Sequence, residues 1–155
     1  MKKLFYITIG LGLFIAFSCK KSTPAATPTP APTSIGNLSV DGVAISNLSH
    51  SSFVNGSNFG VIAYNSSGSN PELQVTFSGT VTPSYGTYPI TTGTVSYGKC
   101  TLTYSDTGAT SPSTASAGYV NVATSGTAPN NTLSFSNISV VGGAGHHILT
   151  GTITY

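Results

Sequence analysis

Glu72-Leu73-Gln74-Val75-Thr76-Phe77-Ser78 is the stretch whose reading decides the fold class. Leu73, Val75 and Phe77 fall on one side of an extended chain, and Glu72, Gln74 and Thr76 fall on the other. Successive side chains of a strand point to opposite faces, so this alternation marks a strand with one face in a core and one in water. Upstream, Asn65-Ser66-Ser67-Gly68-Ser69-Asn70-Pro71 is a turn cluster, and Phe59-Gly60-Val61-Ile62-Ala63-Tyr64 reads as the preceding strand. Phe53-Val54-Asn55-Gly56 brings an Asn-Gly turn signal. Leu38 and Val40 stand before Asp41-Gly42, with Val43 and Ile45 after it, which predicts a tight hairpin or a bulged strand at the domain's start.

Downstream, residues 79–90 contain Pro83 and Pro89, which cannot donate to a central ladder, so any strand there is short or at an edge. Residues 94–104 alternate again through Val95, Tyr97, Cys100, Leu102 and Tyr104, with a parity change at Gly98 that reads as a bulge or bend. Residues 106–117 are small, polar and interrupted by Pro112, and are expected to form a loop. Residues 119–123, 132–141 and 147–155 complete the strands, with one slip of parity near Ser136-Asn137. Leu149, Gly151, Ile153 and Tyr155 share a face. No window after Cys19 has a 3.6-residue apolar period. About eight strands with close-spaced turns predict an all-β fold, an antiparallel β-sandwich or a small β-barrel; spacing does not separate the two.

The N-terminus has a different character. Lys2 and Lys3 precede an apolar run, Leu4 to Phe17, which is too short at about 1.5 Å per residue to cross about 30 Å of hydrocarbon. A charged start and a short apolar body read as a secretory signal. Its end, Ala16-Phe17-Ser18-Cys19-Lys20-Lys21, resembles a bacterial lipobox, in which a small residue precedes the cysteine that takes a diacylglyceryl thioether. The expected division is therefore 1–18 signal peptide, 19–34 lipidated Cys19 with a Pro/Thr-rich tether, and 35–155 all-β domain. An ordinary secretory signal with an incidental cysteine, or an uncleaved signal anchor, is the alternative. The tether, Ser22-Thr23-Pro24-Ala25-Ala26-Thr27-Pro28-Thr29-Pro30-Ala31-Pro32-Thr33-Ser34, favours extended polyproline conformation at about 3.1 Å per residue.

The chain also resembles a group of small Bacteroidota lipoproteins with one antiparallel β domain after a lipobox and a short tether. Gly86-Thr87-Tyr88-Pro89-Ile90, Gly118-Tyr119-Val120-Asn121-Val122, Leu133-Ser134-Phe135 and Gly151-Thr152-Ile153-Thr154-Tyr155 carry that resemblance. It implies an envelope role and supplies no catalytic residue. The positions after Cys19 are Lys20-Lys21-Ser22 and lack the acidic surface-export signal of resembling proteins. This leans towards an outer-membrane lipoprotein on the periplasmic face.

Charge excludes one class of partner. From Ser22 onward there is one lysine, Lys99, against Asp41, Glu72 and Asp106, and the chain has no arginine. A nucleic-acid binder needs clustered positive charge, so nucleic acid is not an expected partner. Cys100 has no partner once Cys19 is assigned to lipid, and it shares parity with Leu102 and Tyr104, which reads as a small buried hydrophobe.

His146-His147 would point to opposite faces of a strand, and His50 is remote in sequence, so no metal and no cofactor is expected. A Ser/His/Asp triad is formally available through Asp41 or Asp106, but Asn65-Ser66-Ser67-Gly68-Ser69 lacks the first glycine of a nucleophile elbow. A glycosidase pair would have to come from Asp41, Glu72 and Asp106, all in or beside turns.

Among the eight tyrosines, Tyr85 and Tyr88 lie in the proline-containing segment and are the candidates for exposed ligand-binding aromatics. The expectation is a noncatalytic binding or structural protein, held to the membrane by lipid, with a glycan or an envelope protein as candidate partner. A glycan- or polymer-active hydrolase and a self-associating adhesin-type domain are the alternatives.

Overall fold

The structure, a computed structural model, describes residues 36–68, 70–124 and 131–155. The expected signal peptide, Cys19 and the tether lie outside the described residues. In chain order the strands are β1 (Gly36–Val40), β2 (Val43–Ala44), β3 (Leu48–Asn55), β4 (Asn58–Asn65), β5 (Glu72–Ser78), β6 (Gly86–Pro89), β7 (Cys100–Ser105), β8 (Ser113–Ala115), β9 (Tyr119–Thr124), β10 (Asn131–Gly142) and β11 (Gly145–Thr154). The described residues contain no helix. The fold is all-β, and its strand pairs are antiparallel.

Nine strands form one hydrogen-bonded order, β2-β1-β11-β10-β8-β7-β5-β4-β3, and β9 with β6 branches from β10. The two ends of that order, β2 and β3, are consecutive in the chain, with only residues 45–47 between them. At no more than about 3.6 Å per residue, this link keeps the ends within roughly 15 Å of each other. A sheet of this width must therefore curl, and its inner faces meet in one core. The alternation at 72–78 is realised in full: Leu73, Val75 and Phe77 are buried, while Gln74 and Thr76 are half-exposed. Cys100, Leu102 and Tyr104 continue that core on β7, Leu133, Phe135, Ile138 and Val140 on β10, and Leu149 and Ile153 on β11.

Two glycines let the strands approach. Across the β10–β11 pair Phe135 faces Gly151, and a Cβ there would stand 2.6 Å from the Asn37 carbonyl oxygen and 3.2 Å from the Phe135 ring. Across β3–β4, Phe53 covers Gly60 in the same way. A glycine under a cross-strand aromatic is a device for bending a sheet without opening a hole.

Several expectations are corrected. At Asp41-Gly42 the turn is the predicted two-residue hairpin, both residues at positive φ (52° and 80°), as a type I′ turn requires. The second turn is shifted by one residue: Asn55 pairs with Asn58, and the loop is Gly56-Ser57. The strand expected over 94–104 is β7 alone, because Gly98 (φ 74°) sits in a turn closed by the Lys99 N–H donating to the Ser96 carbonyl at 3.1 Å.

The loop expected over 106–117 contains β8, which pairs with β7 on one side and β10 on the other. Ser113 is fully buried there and donates to the Gly145 carbonyl at 2.8 Å. A buried hydroxyl with a backbone acceptor is satisfied, so polar composition did not keep this segment out of the sheet. The slip near Ser136-Asn137 is a bulge: register shifts between Phe135 and Ile138, and Asn137 has φ 53°. One extra residue on β10 restores its apolar parity beyond the break.

Candidate functional site

β5 ends at Ser78, and β7 begins at Cys100, its neighbour's partner in register being Phe77. The connections on either side of β6, residues 79–85 and 90–99, lie between β5 and β7 in the chain. Between them lies an open cleft of about 450 Å³ whose lining includes Val81, Pro83, Tyr85, Tyr88 and Tyr97. Pro83 has no N–H to offer a ladder, and β6 pairs only with β9 among the described strands, as an edge strand should.

The two tyrosines named from sequence take different positions. Tyr85 is 77% exposed. Tyr88 is half-buried: its ring meets Phe77 edge-on at 5.0 Å and 82°, and its hydroxyl donates to the Ser84 carbonyl at 2.9 Å. Tyr88 is thus a wall pinned to the core, while Tyr85 is free to meet a ligand. Tyr97, 96% exposed on the opposite connection, joins Tyr85 at the cleft. Sequence reasoning placed Tyr97 on a strand, and its turn is what turns it outward.

Among the described residues no Asp, Glu, Lys, Arg or His lines the cleft. Cys100 lies behind Tyr88 and points its Sγ at the Tyr88 carbonyl, 3.6 Å away. Burial pushes its thiol up to about 12, so it is protonated and inert at neutral pH. Comparison with family models, curated proteins and solved structures finds no match for this chain. The site must be read from its chemistry alone.

The chain's carboxylates lie elsewhere. Glu72 pairs with Ser105 at the far ends of β5 and β7, about 20 Å from the cleft at roughly 3.4 Å per residue. Asp106 follows β7 at that same end. Asp41 is also there, in the β1–β2 turn, where its Oδ1 accepts the Ile148 N–H at 2.8 Å and its own N–H donates to the Ile148 carbonyl at 2.8 Å. Its Oδ2 is 2.8 Å from His147 Nδ1, while His147 Nε2 is 2.7 Å from the Ala144 carbonyl. Both partners of the ring are acceptors, an arrangement that favours the protonated ring, whose two N–H groups can satisfy both. Nothing local in sequence signals this pair; the β1–β2 turn and the first residues of β11, distant in the chain, bring it together.

The pair looks like two-thirds of a triad, yet His147 Nε2, the nitrogen that would take a proton from serine, faces the Ala144 carbonyl at 2.7 Å and not a serine hydroxyl. His146 points to the other face, to the Ser139 hydroxyl at 3.0 Å. Adjacent strand residues diverge in this way. Among the described residues no three His, Cys, Asp or Glu groups come together as a metal site.

The latch has a pH signature. The Asp41 hydrogen bond raises His147 above its ordinary 6.5, helped by the Ala144 carbonyl. The His147 hydrogen bond and the Ile148 N–H lower Asp41 below 3.8. A raised histidine stabilises fully below its unfolded value and loses that contribution as pH rises through the folded one. A lowered aspartate stabilises above its unfolded value and loses that contribution as pH falls through the folded one.

Thermal stability is therefore greatest between those limits and declines above pH 6.5. With Asp41 50% exposed the effect is modest and weakens with salt. In His147→Gln the alkaline decline is expected to flatten when melting temperature is followed against pH. Superimposable profiles for the two proteins would rule out the latch.

Proposed function

We propose that this protein is a noncatalytic, lipid-anchored module of the bacterial cell envelope that binds neutral glycans through the Tyr85–Tyr97 cleft. One observation carries the binding reading: two highly exposed tyrosines face an open cleft that, among the described residues, has no charged side chain in its lining. Tyrosine rings offer an apolar face for the C–H surface of a sugar and a hydroxyl for its rim. An anionic or cationic ligand would find no counter-charge there.

The anchor reading rests on Lys2-Lys3, the short apolar run and Ser18-Cys19, followed by the Pro/Thr tether of 19–34. It places the domain at the outer membrane, on the periplasmic face. The curled sheet we read as a small barrel and not a sandwich, because three residues join its terminal strands.

The hydrolase reading is weaker, since glycoside hydrolysis uses two carboxylates flanking one bond and none lines the cleft. Self-association has one observation in its favour: among the described residues β3 pairs with β4 alone and carries no Asp, Glu, Lys or Arg. Such an edge would show as concentration-dependent association.

The test of glycan binding is affinity electrophoresis of the full chain through gels containing neutral polysaccharides. Retardation by at least one neutral polymer is expected, and Tyr85→Ala should weaken it by about tenfold, the equivalent of about 1.4 kcal/mol. Mobility unchanged in every polymer, or retardation indifferent to both Tyr85→Ala and Tyr97→Ala, would sink this reading.

A further inference from the structure

The cleft does not end at Tyr85. A second depression of about 230 Å³ shares Tyr85, Gly86 and Thr87 with it and adds Asn121. A third, of about 330 Å³, shares Asn121 with the second and continues over Ser134 and Thr152 to Asn37. The three are thus neighbours along a line from the rim of the sheet across its outer face.

The floor along that line is set by strand register. Thr87 pairs with Asn121, Asn121 with Ser134, Ser134 with Thr152, and Thr152 with Asn37. One row of hydroxyl and amide side chains therefore crosses β6, β9, β10, β11 and β1. At the usual 4.7–4.9 Å between strands it is about 19 Å long. Like the cleft, it has no charged residue in its lining.

The hydrogen bonds inside the row leave it donors to spare. Asn121 Oδ1 accepts the Thr87 hydroxyl at 2.7 Å, and Asn37 Oδ1 accepts the Thr152 N–H at 3.1 Å. Each amide oxygen is thus engaged by the protein, and among the described residues neither NH2 group has a protein partner. Fixed, neutral donors at regular spacing suit a ligand that presents hydroxyl acceptors at intervals along a line.

We propose that these depressions act as one groove, an extended binding site for a linear, uncharged polysaccharide, with Tyr85 and Tyr97 gripping one part of the chain and the Thr87–Asn121–Ser134–Thr152–Asn37 row holding successive sugars beyond it. The inference rests on the glycan reading above and adds length, direction and the residues of the further subsites.

Calorimetric titration of the full chain in detergent with cello-, laminari- and malto-oligosaccharides of two to six sugars tests it. For the series that binds, affinity is expected to rise at least tenfold from the disaccharide to the hexasaccharide. Asn121→Ala should remove most of that gain with length, whereas Tyr85→Ala should weaken every length by a similar factor. Ser134→Ala, a smaller change in the same row, should remove part of the gain if Asn121→Ala proves poorly folded by circular dichroism.

Affinity that depends on Tyr85 but not on ligand length would overturn the extended groove and leave the tyrosine cleft standing. A length-dependent gain that survives both row variants would also overturn it. Failure of all three series to bind would overturn the groove and the glycan reading together.

Discussion

Phe77→Ala is expected to cost about 3–5 kcal/mol, the range for truncating a buried aromatic ring. Phe77 is 1% exposed, faces Phe59 on β4 and Cys100 on β7, and carries the edge of the Tyr88 ring at 5.0 Å. Its removal leaves a cavity whose walls are three different strands, and a curled sheet cannot collapse onto it without breaking register. Small domains are stable by about 5–15 kcal/mol in total, so a large share is at stake.

Urea unfolding monitored by circular dichroism gives the measurement, with Phe77→Leu as the conservative variant expected to lose under about 1.5 kcal/mol. A loss below about 1 kcal/mol for the alanine variant would mean that the core is not closed at this end. Because Tyr88 rests on Phe77, the alanine variant should also loosen the wall of the cleft and weaken glycan retention, an effect Phe77→Leu should spare.

Cys19→Ala is expected to abolish lipid attachment outright. On the proposed anchor, the mature chain begins at Cys19 and carries several acyl chains, each buried methylene contributing about 0.8 kcal/mol. Intact mass of the wild-type protein extracted from membranes should show a chain starting at Cys19 with added acyl mass. The variant should lack that mass and partition into the soluble fraction or remain as uncleaved precursor. An unmodified wild-type chain recovered in the soluble fraction would remove the membrane from the proposal, and the glycan reading would then apply to a secreted protein.

The candidate site was legible only in part. Tyr85 and Tyr88 stood out because prolines flank them, and proline disrupts a ladder wherever it falls. That local rule does not say which ring packs inward; Phe77 decides it, from a strand whose register with β7 brings Cys100 and Tyr88 beside it. The Asp41–His147 contact spans 106 positions and leaves no trace in spacing. The row from Thr87 to Asn37 was hidden for the same reason, since it draws one residue from each of five strands and Ser, Thr and Asn are common throughout the chain.

Strands β4, β5, β10 and β11, the Asp41-Gly42 hairpin and the bulge at Asn137 were determined by the sequence itself, because each rests on an alternation or a turn propensity contained in a few neighbouring residues. What only the tertiary structure decided was pairing order. It set the curl that brings β2 to β3, the place of Ser113 and Ala115 as a strand between β7 and β10, and the presence of Tyr85 and Tyr97 on one cleft. These depend on hydrogen bonds and apolar contacts between residues distant in the chain, and such contacts are selected by the closure of one shared core, not by the preferences of any single segment.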